Sequence, residues 1–301
     1  MRRSLTGCMI RRCFLAALGL PIAAFALPDE IIQGEYEGDG YAAQVVALPD
    51  GRFHIAGWRR GLPGVAANAE RIADGDGSRS GDEIHFSGNI WKAAIDAEGQ
   101  LTGEDDQGHH WTLHRITRES PTLGSKPPRD AVLLFDGTNT DAWTDGRTNE
   151  AHQLLGNTES KQRFEGFTLH LEFLAPVAAD GALGIGGCYE LPIRNSFGQE
   201  PDVQTCGALR NLVAPDVNAC LPPDQWQTLD IQFTPAGFNT QDRKTRNAII
   251  TVKLNGITIH ADQEITGPTG DALEVPGPEP LRLRDASGRL RFRNIWLVEK
   301  P

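Results

Sequence analysis

The stretch from Phe167 to Asn195 limits the choice of fold more than any other part of this chain. Phe167, Leu169, Leu171 and Phe173 alternate strictly with Thr168, His170 and Glu172, the two-residue period of a half-buried strand. Gly181 to Gly187 reads as a glycine-rich turn. A second run follows, in which Tyr189, Leu191 and Ile193 oppose Glu190, Pro192 and Arg194. If the two strands share a sheet, one polar face carries His170, Glu172, Glu190 and Arg194. That face suits a sugar-binding cleft, and it suits equally the solvated side of an antiparallel sheet.

The same short alternation recurs along the chain. Tyr41 to Leu48 and Phe53 to Trp58 flank Pro49-Asp50-Gly51, where Pro presets φ and Gly takes the positive-φ position. Further strands are expected at Glu83–Gly88, Trp91–Ile95, Leu101–Gly103 and Trp111–Ile116, with turns at Asp96–Gly99 and Asp105–Gly108. Residues 30–118 are therefore expected to form a small antiparallel β domain, a curved sheet or barrel. His109 and His110 beside Asp105 and Asp106 read as polar turn chemistry, since no ligand spacing repeats elsewhere. Pro121, Pro127 and Pro128 around Gly124-Ser125-Lys126 mark 119–130 as a linker. A second domain, 131–301, follows. It contains a long Pro-, Asp- and Asn-rich loop from Pro201 to Asp224 and a hairpin at Asn255-Gly256. With 33 Gly, 19 Pro and only 2 Met among 301 residues, the chain is read as loop-rich and all-β.

Residues 1–26 are expected to be an export signal. Arg2-Arg3 and Arg11-Arg12 precede an apolar stretch from Cys13 to Ala23, and Ala24-Phe25-Ala26 is a small-x-small cleavage site. Arg11-Arg12-Cys13-Phe14-Leu15 also resembles a twin-arginine signal. The mature chain is thus expected in the periplasm or outside the cell, by the Sec or the twin-arginine route. No later segment reaches transmembrane length, so no transmembrane anchor is expected. A net charge of −11 and a pI near 5.2 argue against a nucleic-acid partner, which needs a basic surface. Cleavage would leave Cys188, Cys206 and Cys220. In an oxidising compartment a Cys206–Cys220 disulfide with Cys188 free is the favoured arrangement, three buried thiols the alternative.

Leu134-Phe135-Asp136-Gly137, Leu171-Glu172-Phe173, Tyr189-Glu190, Asn195-Ser196-Phe197-Gly198, Ala214-Pro215-Asp216-Val217-Asn218, Trp226-Gln227-Thr228 and Arg291-Phe292-Arg293-Asn294-Ile295-Trp296 fall in an order that resembles the 3-keto-disaccharide hydrolase domain family. The resemblance runs from about residue 131 to the end. It implies a concanavalin A-like jelly-roll sandwich, preceded here by the small β domain, that acts on carbohydrate. The implied activity is cleavage of a glycosidic bond in a 3-keto sugar, where the ketone acidifies the neighbouring C–H and elimination is followed by hydration. Glu190, Glu172 and Asp285 are the candidate catalytic carboxylates. His170, Tyr189, Arg194, Asn195, Asn218 and Arg284 are the candidate substrate-binding residues. Nothing in the sequence requires a cofactor, and a divalent metal to hold the enolate is left open. Pro192, Asn195, Arg284 and Ala286 depart from the family's common pattern. A glycan-binding protein without turnover is therefore the competing reading.

Overall fold

The protein is described by a computed structural model over residues 27–270 and 272–300; the expected export signal and its cleavage site lie outside these residues. The first unit is a meander of eight strands: β1 (Gly34–Gly38), β2 (Tyr41–Leu48), β3 (Arg52–Arg59), β4 (Glu70–Ser80), β5 (Glu83–Ser87), β6 (Trp91–Ile95), β7 (Leu101–Asp105) and β8 (His110–Ile116). Each pairs with the next, and β1 pairs back onto β8 through Glu35 and Ile116, closing a barrel. Tyr36, Val45, Phe53, Ile84, Phe86 and Leu101 fill it. Closure leaves no free edge along the sheet. One end is plugged by the helical turn Asp29–Ile32. There Tyr36 donates its hydroxyl proton to the Ile32 carbonyl at 2.6 Å, and Arg79 donates to the Leu27 carbonyl at 2.8 Å and to Asp29 Oδ1 at 2.7 Å.

This closure corrects the expected fold class. The first sheet is an eight-stranded barrel, and a concanavalin A-like jelly-roll or β-sandwich does not describe the chain. Alternation states which side chains point inward, but not whether a first and a last strand meet. Strand β4 hid the answer, because the inward positions along its middle are Ala73, Gly75 and Gly77. Those residues carry no apolar period to detect.

The second unit contains β9 (Val132–Phe135), β10 (Trp143–Thr144), β11 (Leu154–Leu155), β12 (Thr158–Phe164), β13 (Phe167–Leu174), β14 (Asp180–Ile185), β15 (Tyr189–Arg194), β16 (Trp226–Thr234), β17 (Gly237–Phe238), β18 (Lys244–Arg246), β19 (Ala248–Leu254), β20 (Ile257–Ile265), β21 (Glu279–Asp285) and β22 (Arg291–Glu299). One open sheet has five strands in the order β10-β12-β21-β14-β15. The other has seven, in the order β11-β22-β13-β16-β19-β20, with β9 also on β22. Leu183, Leu191 and Leu283 from the first meet Leu169, Leu171, Ile231 and Phe292 from the second in one core. The hairpin at Asn255-Gly256 has φ of 53° and 79°, both left-handed, as a two-residue turn with the twist of its flanking strands needs.

Two expectations change here. The segment Gly181 to Gly187 is strand β14 up to Ile185, and only Gly186-Gly187 turns, with φ of 54° and 75°. Gly181 is needed for packing, since a Cβ there would lie 2.2 Å from the Arg284 carbonyl oxygen. More consequentially, β13 and β15 lie in different sheets. Leu171 and Leu191 do point into the same core, so the intervening polar residues point away from each other. The single polar face expected to join Glu172 to Glu190 does not exist.

The proline-rich segment after β8 is pinned to the outer face of the seven-stranded sheet. Ser120 Oγ lies 2.6 Å from Thr228 Oγ1, Thr122 donates to Asp230 at 2.6 Å, and the Ser125 carbonyl accepts from Asn294 at 3.0 Å. Among the described residues no helix is long and apolar enough to cross a membrane.

Candidate functional site

The outer face of the five-stranded sheet gathers one row of side chains across four strands. Glu190 on β15 sits opposite Gly184 on β14, Gly184 opposite Arg282 on β21, and Arg282 opposite Glu159 on β12. Gly184 leaves the middle of the row low. A hollow of about 390 Å³ opens there, lined by Gly187, Glu190, Gly270, Arg282 and Arg284 among others, a size that suits a small ligand. Glu190 Oε1 lies 3.1 Å from Arg284 Nε, and its Oε2 lies 3.3 Å from Arg210 Nε. The Glu190 side chain is 17% exposed. Arg282 is held by Glu159 at 3.2 Å and donates to the Gly187 carbonyl at 3.2 Å.

Two loops fix β15 from outside the sheet. The Arg210 backbone N–H donates to the Glu190 carbonyl at 3.0 Å, and Arg210 Nη2 donates to the Gly181 carbonyl at 3.0 Å. Arg210 therefore folds over the edge strand and delivers a second guanidinium to Glu190. From the other side, the Glu190 N–H donates to Thr269 Oγ1 at 2.6 Å. A carboxylate flanked by two guanidinium groups above an open hollow can exchange a proton with a bound ligand while the cations meet negative charge that develops on it.

Glu172 is placed differently. It is 1% exposed, on the far face of the seven-stranded sheet, beneath the pinned segment. Its carboxylate accepts from Gly124 N at 2.6 Å, Arg293 Nε at 2.6 Å and Asn294 Nδ2 at 2.8 Å. Burial raises its pKa, but hydrogen bonds from His170, Asn294, Arg293 and Gly124 outweigh burial and pull it down to about 2. His170 Nδ1 lies 2.7 Å from Asp230 Oδ1, and the ring stacks on Trp296 at 5.1 Å. Burial lowers the His170 pKa, yet the Asp230 and Glu172 partners raise it more, to a net increase. This cluster is buried away from the hollow and ties the pinned segment to the seven-stranded sheet.

Asp285 is also structural. It lies on the core side of β21, where Oδ1 accepts from Ser287 N at 3.1 Å and Ser287 Oγ at 2.7 Å, and Oδ2 accepts from Leu290 N at 3.0 Å. It closes the turn into β22. Tyr189 is buried against Phe233 and donates its hydroxyl to Glu274, while burial followed by that hydrogen bond holds its pKa well above the ordinary value. Asn195 accepts from Phe197 N at 3.2 Å in a local turn. Asn218 donates to the Gln199 carbonyl at 2.9 Å and accepts from Cys220 N at 3.2 Å, anchoring the long loop. Arg194 shares the outward side of β15 with Glu190, four residues along; its Nε is buried with no hydrogen-bond partner among the described residues.

The cysteines differ from the favoured arrangement. Cys188, Cys206 and Cys220 are all free and buried. The neighbouring Cys220 and burial push the Cys206 thiol up, and the proximity of Cys206 draws Cys220 down. The loop content that suggested a crosslink does bring the two together, but as free thiols.

Of the expected residues, the structure thus brings Glu190 and Arg284 together and sets Glu172, Asp285, His170, Asn195 and Asn218 elsewhere. It adds Arg210, Arg282 and Glu159. Arg282 was legible, since it alternates with Leu281 and Leu283 on the same side as Arg284. Arg210 was not, because it arrives from an irregular loop. Among the described residues no group of three or more His, Cys, Asp or Glu is placed to hold a metal ion.

An all-β chain that sets one arginine-framed carboxylate over a sugar-sized hollow has the makings of a carbohydrate-acting protein. Residues 130–298, more than half of the chain, match the 3-keto-alpha-glucoside-1,2-lyase-like domain, and the chain belongs to that family. Among solved structures it is similar to a candidate glycosyl hydrolase from Parabacteroides distasonis ATCC 8503, at 22% identity and a TM-score of 0.54, covering 62% of this chain and 92% of that one. That likeness shows the fold they share. Two other candidate glycosyl hydrolases from the same organism match at 12% and 18% identity with TM-scores of 0.44 and 0.42, covering 57% and 56% of this chain and 94% and 99% of theirs. No curated protein matches the chain. Carbohydrate-directed chemistry of the hydrolase type is the general activity that family membership supports.

Proposed function

We propose that the protein cleaves the glycosidic bond of a 3-keto glucoside by elimination and then hydration, with Glu190 as the group that moves the proton. The ketone at carbon 3 acidifies the hydrogen on carbon 2. Glu190 takes that proton, and the electron pair left on carbon 2 delocalises onto the ketone oxygen as an enolate. Arg284 and Arg210 meet the developing charge. The enolate then collapses, the bond from carbon 1 to the glycosidic oxygen breaks, and that oxygen leaves with the proton Glu190 had taken. Water adds to carbon 1 of the resulting enone, a proton returns to carbon 2, and the net change is hydrolysis.

One observation supports this reading: among the described residues that line the hollow, Glu190 is the single carboxylate. A conventional glycosidase places two carboxyl groups across the scissile bond, and neither Glu172 nor Asp285 reaches this face. Glu159 stands in the same row but is tied to Arg282 outside the lining of the hollow. Elimination through one proton-transferring group needs no such pair. The test is product release from 3-keto glucosides beside unmodified glucosides. Release from unmodified sugars alone would sink the elimination route while keeping an enzyme.

The two arginine pairs on Glu190 also favour a second reading, a glycan-binding protein in which they only hold the surface in shape. No release from either substrate, with retained glycan affinity, would establish it. The proposal sets the reaction outside the cytoplasm on the strength of the export-signal pattern in residues 1–26, and cell fractionation tests that part.

A further inference from the structure

We propose that the open end of the barrel is a binding site for a small, uncharged aryl group. The end opposite the Asp29–Ile32 plug holds a cavity of about 180 Å³. Tyr41, Trp91 and Trp111 wall it from inside the barrel, the buried Trp58 also lines it, and the exposed Ile72 and Ile90 stand at its rim. No part of the proposed chemistry at Glu190 uses this cavity.

The sequence builds the aromatic wall deliberately at the level of single glycines. A Cβ at Gly75 would lie 2.6 Å from the Trp91 ring, and one at Gly103 would lie 2.1 Å from the Trp111 ring. Both indoles therefore lie directly on bare backbone, which keeps the barrel's mouth from being blocked by them. Ala43 and Ala73 complete the wall with methyl groups. Trp58 is steadied from behind by the Arg71 guanidinium, 5.2 Å from its ring centre, and Arg71 is in turn paired with Glu200 of the second unit at 2.8 Å.

Size and chemistry choose the occupant. An apolar cavity of about 150 Å³ accepts one benzene ring, so this one holds a single substituted ring. A free sugar needs many hydrogen bonds, and the two charged residues at the mouth are already engaged. Asp105 accepts from Gln107 N and His109 N, both at 2.9 Å, and Arg59 pairs with Glu70 at 3.4 Å. What remains is flat aromatic surface, which favours ring stacking and apolar burial. Ile90, 61% exposed at the rim, extends that surface outward. An aryl group reaches the site either as a free phenol or as the aglycone of a glucoside.

Calorimetric titration of the full chain with phenol, phenyl β-glucoside and glucose separates these cases. Binding of phenol alone identifies a free-phenol site, and binding of both aryl compounds identifies an aryl site that tolerates a sugar; glucose is expected not to bind the barrel. Ala73→Leu fills the cavity and should weaken aryl binding at least tenfold. Ile90→Asp, at an exposed position that does not threaten folding, should weaken it several-fold. The proposal is overturned if no aryl compound binds, if glucose binding is weakened by Ala73→Leu as much as aryl binding, or if aryl binding is unchanged in both variants. Because none of these residues touches the Glu190 hollow, failure here leaves the glucoside reading standing, and the reverse holds.

Discussion

Two glutamates in this protein each touch arginine, and they do opposite jobs. Glu172 is sealed under the segment after the barrel, with a backbone N–H, an arginine, an asparagine and a histidine around it. Glu190 meets two arginines at the edge of a hollow. The number of cationic partners does not tell them apart. Burial and completeness of hydrogen bonding do. A buried carboxylate with hydrogen bonds to both of its oxygens is a clamp, whereas one with open volume beside it can meet a ligand.

Substitution tests that contrast directly. Glu190→Gln should lower turnover on a 3-keto glucoside by about 10²- to 10⁴-fold, with the melting temperature nearly unchanged; a fully active variant would end the assignment. Arg284→Gln removes one of two cations from the proposed enolate site, and a loss of about tenfold to a hundredfold in kcat is expected, within what single electrostatic donors contribute. Glu172→Gln should do the reverse: a stability loss of about 2 kcal/mol, seen as a melting shift of roughly 5 °C, with activity per folded molecule retained. Asp285→Asn is expected to cost about 1 kcal/mol in chemical denaturation and to leave KM unchanged.

The subtlest expected effect is in acid. Because the folded Glu172 pKa lies below its ordinary value, the stability it contributes is fully present above about 4.5 and is lost as pH falls through about 2. Denaturation midpoints of the native protein and Glu172→Gln should therefore differ at pH 6 and converge toward pH 2. His170 has the opposite sign. Its raised pKa contributes stability that is present below 6.5 and fades as pH rises through the folded value. Midpoints that stayed apart in strong acid would mean that the Glu172 clamp works without its charge.

Much of the fold was legible because alternation is a local property. Phe167–Phe173, Tyr189–Ile193 and Gln227–Phe233 are strands where the pattern says they are, and Asn255-Gly256 is the hairpin its residues demand. What alternation cannot encode is which strand lies next to which. The hypothesis of a shared Glu172 and Glu190 face failed at that point, although the inward set of each strand was read correctly. Strand β4 escaped for the complementary reason: a strand whose inward positions along its middle are Ala and Gly has a period in space but none in hydrophobicity. At the site, Glu190 and Arg284 could be found from their strands, while Arg210 depends on the path of an irregular loop that no local rule fixes.

The stretch rich in proline between barrel and sheets looks like a tether by composition, yet its residues are stitched to Thr228, Asp230 and Asn294. A protease that cut after Arg129 would accordingly find two pieces that do not drift apart. The barrel would still ride on the sheets through side chains N-terminal to the nick, so the molecule would sediment as one body and lengthening the chain at Pro127 or Pro128 would give it no new reach. Slack would have to be introduced before Ser120, where the stitching begins.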